Sequence, residues 1–203
     1  MTMPPFWNRR RFLSTGLLIP AAALGGLFTP SSAHAAAPLP PTPDCGDGDL
    51  TPPQTAGPFF KPASPERRSL IEPGIGGERF VLAGFVVSTR CAPLANALVD
   101  LWHADDDGRY DNHGFRLRGH QYTDGQGHYT FETIVPGNYG PRTRHYHLKV
   151  QAPGRPVLTT QLYFPGEDRN GSDFLFRPEL LMTVSQGETV IRHGRFDFVL
   201  DLG

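Results

Sequence analysis

The chain has no amphipathic helical stretch of any length, no internal repeat and no surplus of basic charge. The first absence excludes a helix bundle, and the second excludes a solenoid or propeller. The third speaks against a nucleic-acid or anionic-membrane partner, since 19 lysines and arginines stand against 20 aspartates and glutamates. Cysteine is scarce as well: Cys45 and Cys91 are the only two, so the chain closes at most one disulfide. The one sustained apolar run, residues 17–28, contains Pro20 and is shorter than the roughly 20 residues that span a bilayer.

That run belongs to an address rather than to a fold. Arg9-Arg10-Arg11-Phe12-Leu13 precedes it and reads as a twin-arginine-type signal, and Ala33-His34-Ala35 follows with the small residues of a cleavage site. No lipobox cysteine lies near that site. Residues 1–35 are therefore expected to be a twin-arginine signal peptide, with the protein exported to the periplasm or the exterior. No stable membrane insertion is expected after processing; an uncleaved anchor is the alternative reading. The route carries folded proteins, which suits one that loads a cofactor before crossing. Removing the three arginines of the signal leaves 16 basic against 20 acidic residues, a net charge of −4. In an oxidising compartment a disulfide between Cys45 and Cys91 is favoured over two free thiols.

Residues 36–203 are enough for one domain with its own core. Residues 36–53 are rich in Pro, Ala and Thr and read as an extended arm, and residues 54–203 read as the folded domain. Short strand-like runs occur at 79–88, 97–103, 128–133, 144–151, 158–164 and 189–202. Asp124-Gly125-Gln126-Gly127 and Pro136-Gly137-Asn138 supply turn chemistry between them. This pattern predicts an all-β fold, a single β-sandwich with little helix.

The chemistry concentrates in Arg142-Thr143-Arg144-His145-Tyr146-His147. In a strand, residues two apart share a face, so His145 and His147 can reach one metal ion together. Tyr110 and Tyr139 lie upstream, each beside turn residues. Phenolate is a hard donor, and two histidines with two tyrosines point to Fe(III) rather than zinc. Two tyrosinates and two neutral histidines leave a ferric ion with one positive charge, which a hydroxide would cancel. A catechol arriving as a chelating dianion would replace that hydroxide and one tyrosinate with no net change in charge. Each element also has a plainer reading. Strand histidines form polar ladders, tyrosines cap sandwich edges, and Asp105-Asp106-Asp107-Gly108 lacks the spacing of a calcium loop and reads as a solvated turn. His103, His113, His120, His128 and His193 are read as surface or pocket-wall residues, and Trp102 as core.

Several ordered segments resemble the intradiol ring-cleavage dioxygenases. Thr51-Pro52-Pro53-Gln54-Thr55-Ala56-Gly57-Pro58-Phe59-Phe60 resembles the start of protocatechuate 3,4-dioxygenase subunits. Leu98-Val99-Asp100-Leu101-Trp102-His103-Ala104, followed by Gly108-Arg109-Tyr110, resembles the segment bearing that family's first tyrosine ligand. The stretch from Thr123 to Tyr139 resembles the segment ending in the second, and His145-Tyr146-His147 matches the paired histidines. The resemblance implies a prealbumin-like β-sandwich with non-haem Fe(III) bound by Tyr110, Tyr139, His145 and His147. The implied activity is cleavage of catechol-type rings between the two hydroxylated carbons with O2, giving cis,cis-muconate-type diacids, with a small-molecule catechol as substrate. It further implies that Tyr139 is the ligand released as a local base, that Arg142 stabilises the electron-rich ring, and that Gln161 orients oxygen intermediates. Thr55, Gly57 and Pro58 would border the substrate. Homo-oligomerisation is left open. The chain departs from the family in its short interval from Tyr139 to His145, in Gly140-Pro141 after the second tyrosine, and in lacking an N-terminal helical dimerisation domain. These trims predict a more open site, suited to larger or varied catechols.

Two other functions fit parts of the pattern. The segment from Asp124 to Tyr139 also resembles non-catalytic prealbumin-like binding modules, which have no need of Tyr110, Arg142, His145 and His147 together. A zinc hydrolase would use His145, His147 and a carboxylate such as Asp100. An Fe(II) oxygenase would want a facial set of two histidines and one carboxylate.

Overall fold

The structure, a computed structural model, describes residues 49–186 and 191–202. The expected signal over 1–35, the arm before residue 49, and Cys45 lie outside the described residues. Cys91 is disulfide-bonded.

The described residues form nine strands: β1 (Arg79–Ser88), β2 (Leu98–Trp102), β3 (Arg118–Tyr122), β4 (His128–Ile134), β5 (His145–Gln151), β6 (Leu158–Tyr163), β7 (Thr183–Gln186), β8 (Arg192–Arg195) and β9 (Phe198–Leu200). Helix among them is confined to two 3-10 turns, Asp168–Gly171 and Pro178–Leu180. One sheet runs β4-β1-β8-β7, with β9 also pairing β1; the other runs β3-β2-β5-β6. The fold is all-β in two sheets, as the alternation predicted.

The core follows from strand period. Tyr146, Leu148 and Val150 of β5, Val99 and Leu101 of β2 and Leu162 of β6 point inward, against Phe80, Leu82 and Val86 of β1 and Tyr129 and Phe131 of β4. All of these are at most 1% exposed, and each buried side chain of this size contributes about 1.5–3 kcal/mol. The opposite face of β5 carries His145, His147 and Lys149. Register pairs Trp102 with His147 and Gln161 with His147 across the strand, so one row of the outer face reads Arg118, Trp102, His147, Gln161.

That outer face is roofed by irregular chain. Gln54 N–H donates to the Thr159 carbonyl, Gln161 Nε2 to the Thr55 carbonyl, and Phe60 packs edge-on against Trp102. Thr51 N–H donates to the Val199 carbonyl, so the end of the predicted arm is docked on β9.

Two expectations change and one narrows. The run 189–202 is not one strand. Its described part divides into β8 and β9, because Phe196 bulges toward β1, where a Cβ at Gly84 would strike its carbonyl. The Asp197 carboxylate accepts the Phe85 N–H at that break. Strands β3 and β7 were not predicted: Arg118-Gly119-His120-Gln121-Tyr122 and Thr183-Val184-Ser185-Gln186 lack apolar alternation and pair for tertiary reasons. His103 is not at the surface; it is buried at the wall of a cavity that Asp105 and Leu117 also border. It is buried between the Ala104 carbonyl, to which Nδ1–H donates, and the Thr133 hydroxyl, which donates to Nε2. Burial brings its pKa down to about 4.

Candidate active site

His145 opens β5, and its Nδ1 lies 2.6 Å from the Thr143 carbonyl. A carbonyl only accepts, so Nδ1 carries the proton and Nε2 presents a lone pair. That Nε2 is 3.1 Å from His147 Nε2. The Tyr110 hydroxyl stands 3.3 Å from the first and 3.1 Å from the second. The His147 ring is held flat against Trp102, with centroids 5.1 Å apart and an interplanar angle of 7°. Trp102 is thus core and also a support for the site, a role with no signal in its local sequence.

This triangle fits one metal ion. Donors 2.0–2.1 Å from an ion and at right angles lie about 3 Å from each other. A histidine whose far N–H is given to a backbone carbonyl is the usual support of a ligating imidazole. Burial keeps both imidazoles neutral: the pKa of His145 falls to about 4, and His147 is held well below the ordinary range. Burial pushes the Tyr110 phenol up, so its phenolate calls for a strongly charged cation beside it.

Two glycines bring the tyrosine loops together. Gly108 has φ +80°, and a Cβ there would strike the Asn138 carbonyl. Gly137 donates its N–H to the Asp105 carbonyl at 2.7 Å, and a Cβ on it would collide with the Asp106 carbonyl. The Asp105 carboxylate meanwhile accepts the Asp107 and Arg109 N–H groups, which makes this acidic stretch a turn. The rings of Tyr110 and Tyr139 meet edge-on at 5.5 Å, and Phe59 stacks on Tyr110 at 4.4 Å. Tyr139 itself is 39% exposed, and its hydroxyl is hydrogen-bonded to none of Tyr110, His145 and His147. It stands at the rim.

Arg142 is fixed on three sides. Its Nε donates to both oxygens of Asp173 at 2.8 Å, and Nη2 donates to Gln161 Oε1 at 2.6 Å and to the Tyr163 hydroxyl at 3.2 Å. Nη1 has no acceptor among the described residues and is left for the cleft. Asp173 also accepts the N–H groups of Thr143 and Leu175. Burial opposes its ionisation, but these bonds and the guanidinium hold its carboxyl below the ordinary range. Gln161 is fully buried behind Arg142, its amide spent on Arg142, Tyr163 and the Thr55 carbonyl. It holds the wall of the cleft rather than forming it.

The cleft has a volume of about 470 Å³. Thr55, Gly57, Pro58, Tyr139 and Arg142 border it, with His145 and His147 at its floor and Phe59 and Phe174 at its sides. Gly57, at φ +65°, lies so close over His147 that a Cβ would touch its Cε1 at 3.5 Å. Asp100 is elsewhere: it accepts from Ser64, and its carboxyl is pushed up by burial. Among the described residues no cluster of three or more His, Cys, Asp or Glu could hold a metal, which leaves the zinc-hydrolase alternative without its carboxylate. Asp173, Tyr163, Phe174 and Trp102 are site residues that sequence reasoning missed.

The chain matches the model of the dioxygenase family over residues 56–202. It is 32% identical over 166 residues to catechol 1,2-dioxygenase 2 of Acinetobacter lwoffii, covering 68% of this chain and 60% of that protein. It is 33% identical over 153 residues to hydroxyquinol 1,2-dioxygenase of Nocardioides simplex, covering 64% of this chain and 52% of that one. The chain thus spans between half and three fifths of the length of these relatives. Among solved structures, it is similar to the dioxygenase domain of a dioxygenase carbohydrate-binding protein fusion from the cellulolytic bacterium Streptomyces sp. SirexAA-E. There the TM-score is 0.74 and the identity 54%, over 76% of this chain and 100% of that one. It is also similar to 3-chlorocatechol 1,2-dioxygenase from Rhodococcus opacus 1CP, with a TM-score of 0.69 and 30% identity over 74% of this chain and 72% of that one.

Proposed function

The chain belongs to the dioxygenase family, and from that premise we propose that it is an Fe(III)-dependent intradiol dioxygenase. It opens catechol-type rings with O2 between the two hydroxylated carbons, giving cis,cis-muconate-type diacids. The observation that carries this reading is the mutual approach of Tyr110, His145 and His147 within 3.3 Å, at the floor of a cleft that Arg142 also lines. The names of the relatives, which act on catechol, hydroxyquinol and chlorocatechol, support it.

When bound, Fe(III) supplies a Lewis acid and a template for the two oxygens of a catecholate. Tyr110, His145 and His147 hold it, with Tyr139 as the fourth ligand. The low pKa of the imidazoles keeps their lone pairs free at neutral pH. Tyr139 stands at the rim with a half-exposed side chain, so as a phenolate it would accept a substrate proton and, as the resulting phenol, turn toward water. Arg142 is pinned by Asp173, and its free Nη1 offers a fixed positive charge to the negative charge that builds on the ring. Phe59, Pro58 and Phe174 keep the cleft walls apolar, which strengthens that interaction.

Visible absorption of the purified chain with metal analysis on the same sample tests the reading. About one iron per chain and a tyrosinate charge-transfer band that shifts on anaerobic addition of catechol are expected. Colourless protein that refuses ferric iron on reconstitution would favour the binding-module alternative. Oxygen uptake and product analysis on catechol, protocatechuate and hydroxyquinol then define the range. Export by the twin-arginine route is part of the proposal, carried by Arg9-Arg10-Arg11. Replacing Arg9, Arg10 and Arg11 by lysine should hold the protein in the cytoplasm when cells are fractionated.

A further inference from the structure

Phe174 is 79% exposed, more than any other large apolar side chain among the described residues. Its backbone is nevertheless tightly held. Asp173 before it is buried and ion-paired with Arg142. The Leu175 carbonyl after it accepts from Gln54 Nε2 at 2.8 Å and from the Tyr163 hydroxyl at 2.9 Å. Phe176 N–H donates to the Asp173 carbonyl, and the Phe176 ring packs edge-on against Tyr163 at 5.2 Å. A turn tied at so many points keeps a phenyl ring in water beside the cleft.

The ring lies between two grooves. One is the cleft above the histidines. The other, of about 480 Å³, is bordered by Pro53, Gln54, Phe176 and Arg177. Thr55, Phe174 and Leu175 border both, so the two grooves adjoin along this segment. The Arg142 guanidinium carbon sits 6.0 Å from the Phe174 ring centroid, which ties that ring to the catalytic cleft. Arg177 is exposed; its carbonyl accepts the Leu180 N–H, and its guanidinium has no ion-pair or hydrogen-bond partner among the described residues. A lone catechol fills only a fraction of the first groove and reaches neither Gln54 nor Arg177.

We propose that the second groove is a subsite for the remainder of an extended catechol, whose unsaturated side chain lies against Phe174 and whose terminal carboxylate pairs with Arg177. Planar carbon stacks well on an exposed phenyl ring, and a guanidinium receives a carboxylate through two parallel N–H donors. The inference rests on the catechol reading of the first groove.

The test is anaerobic equilibrium dialysis of the full iron-loaded chain with 3,4-dihydroxycinnamate, its methyl ester and catechol, run beside oxygen uptake with each. The acid is expected to bind at least about tenfold tighter than catechol. Arg177→Gln should narrow the advantage of the acid about tenfold and leave that of the ester, while Phe174→Ala should narrow both. An acid that binds no tighter than catechol, or an advantage that survives Arg177→Gln, overturns the subsite. If catechol is cleaved and the acid shows no advantage, the subsite falls and the ring-cleavage reading stands. If the acid binds through Phe174 and Arg177 while the chain cleaves no catechol, the subsite stands and that reading falls.

Discussion

Arg142 and Asp173, 31 residues apart in the chain, are joined by a guanidinium Nε that donates to both carboxylate oxygens at 2.8 Å. Asp173 has a fully buried side chain, and it also ties down Thr143, two residues before His145. One carboxylate therefore sets the direction of the cleft's cation and the start of the strand that bears both histidines.

Asp173→Asn should destabilise the fold by about 3–5 kcal/mol, the usual cost of leaving one partner of a buried ion pair alone. Urea unfolding followed by fluorescence measures it. Turnover of the iron-loaded variant should fall further than its iron content does, because Arg142 loses its anchor before the ligands are disturbed.

The same pair makes stability depend on acid. The carboxyl of Asp173 is held below its ordinary value in the folded state, so its contribution is fully present above about pH 4. It is lost as pH falls through the depressed folded value. The difference in unfolding midpoint between the native chain and Asp173→Asn should therefore shrink below about pH 4. A difference that stays constant down to acid would assign the stabilisation to packing instead.

Arg142→Ala should keep iron and its visible band while turnover drops about 10²–10³-fold, the range seen when one electrostatic stabiliser of a developing anion is removed. Stopped-flow mixing of the catechol complex with O2 would locate the loss after substrate binding. Full activity in this variant would remove Arg142 from the mechanism.

Tyr110→Phe and His147→Ala should each lose most of the bound iron or its colour, since each removes a member of the triangle within 3.3 Å. Metal analysis after dialysis against a chelator reads this directly. Tyr139→Phe should retain more iron than Tyr110→Phe, because Tyr139 stands at the rim.

Gly108→Ala should cost at least about 2 kcal/mol and weaken iron binding together. The residue sits at φ +80°, and its Cβ would strike the Asn138 carbonyl, forcing apart the loops that carry Tyr110 and Tyr139. Thermal unfolding and iron titration of one preparation report both effects.

Much of this could be read from local pattern. Strand period alone places His145 and His147 on one face, and the same period sends Tyr146, Leu148 and Val150 into the core. Turn chemistry at Gly108 and Gly137 marks the loops that hold the tyrosines. These signals are legible because they depend only on neighbours a few residues away. The rest was decided by packing of the whole. Asp173 has no local mark that names Arg142 as its partner. Trp102 supports His147 only through the β2–β5 register, and Gln161 is turned from a cleft residue into a buried brace by Arg142 and Thr55. Strand β3, polar along its length, exists because β2 offers an edge. Register, burial and the closing of loops over the outer face are set by contacts distant in sequence, whose energies are shared across two sheets and belong to no short segment.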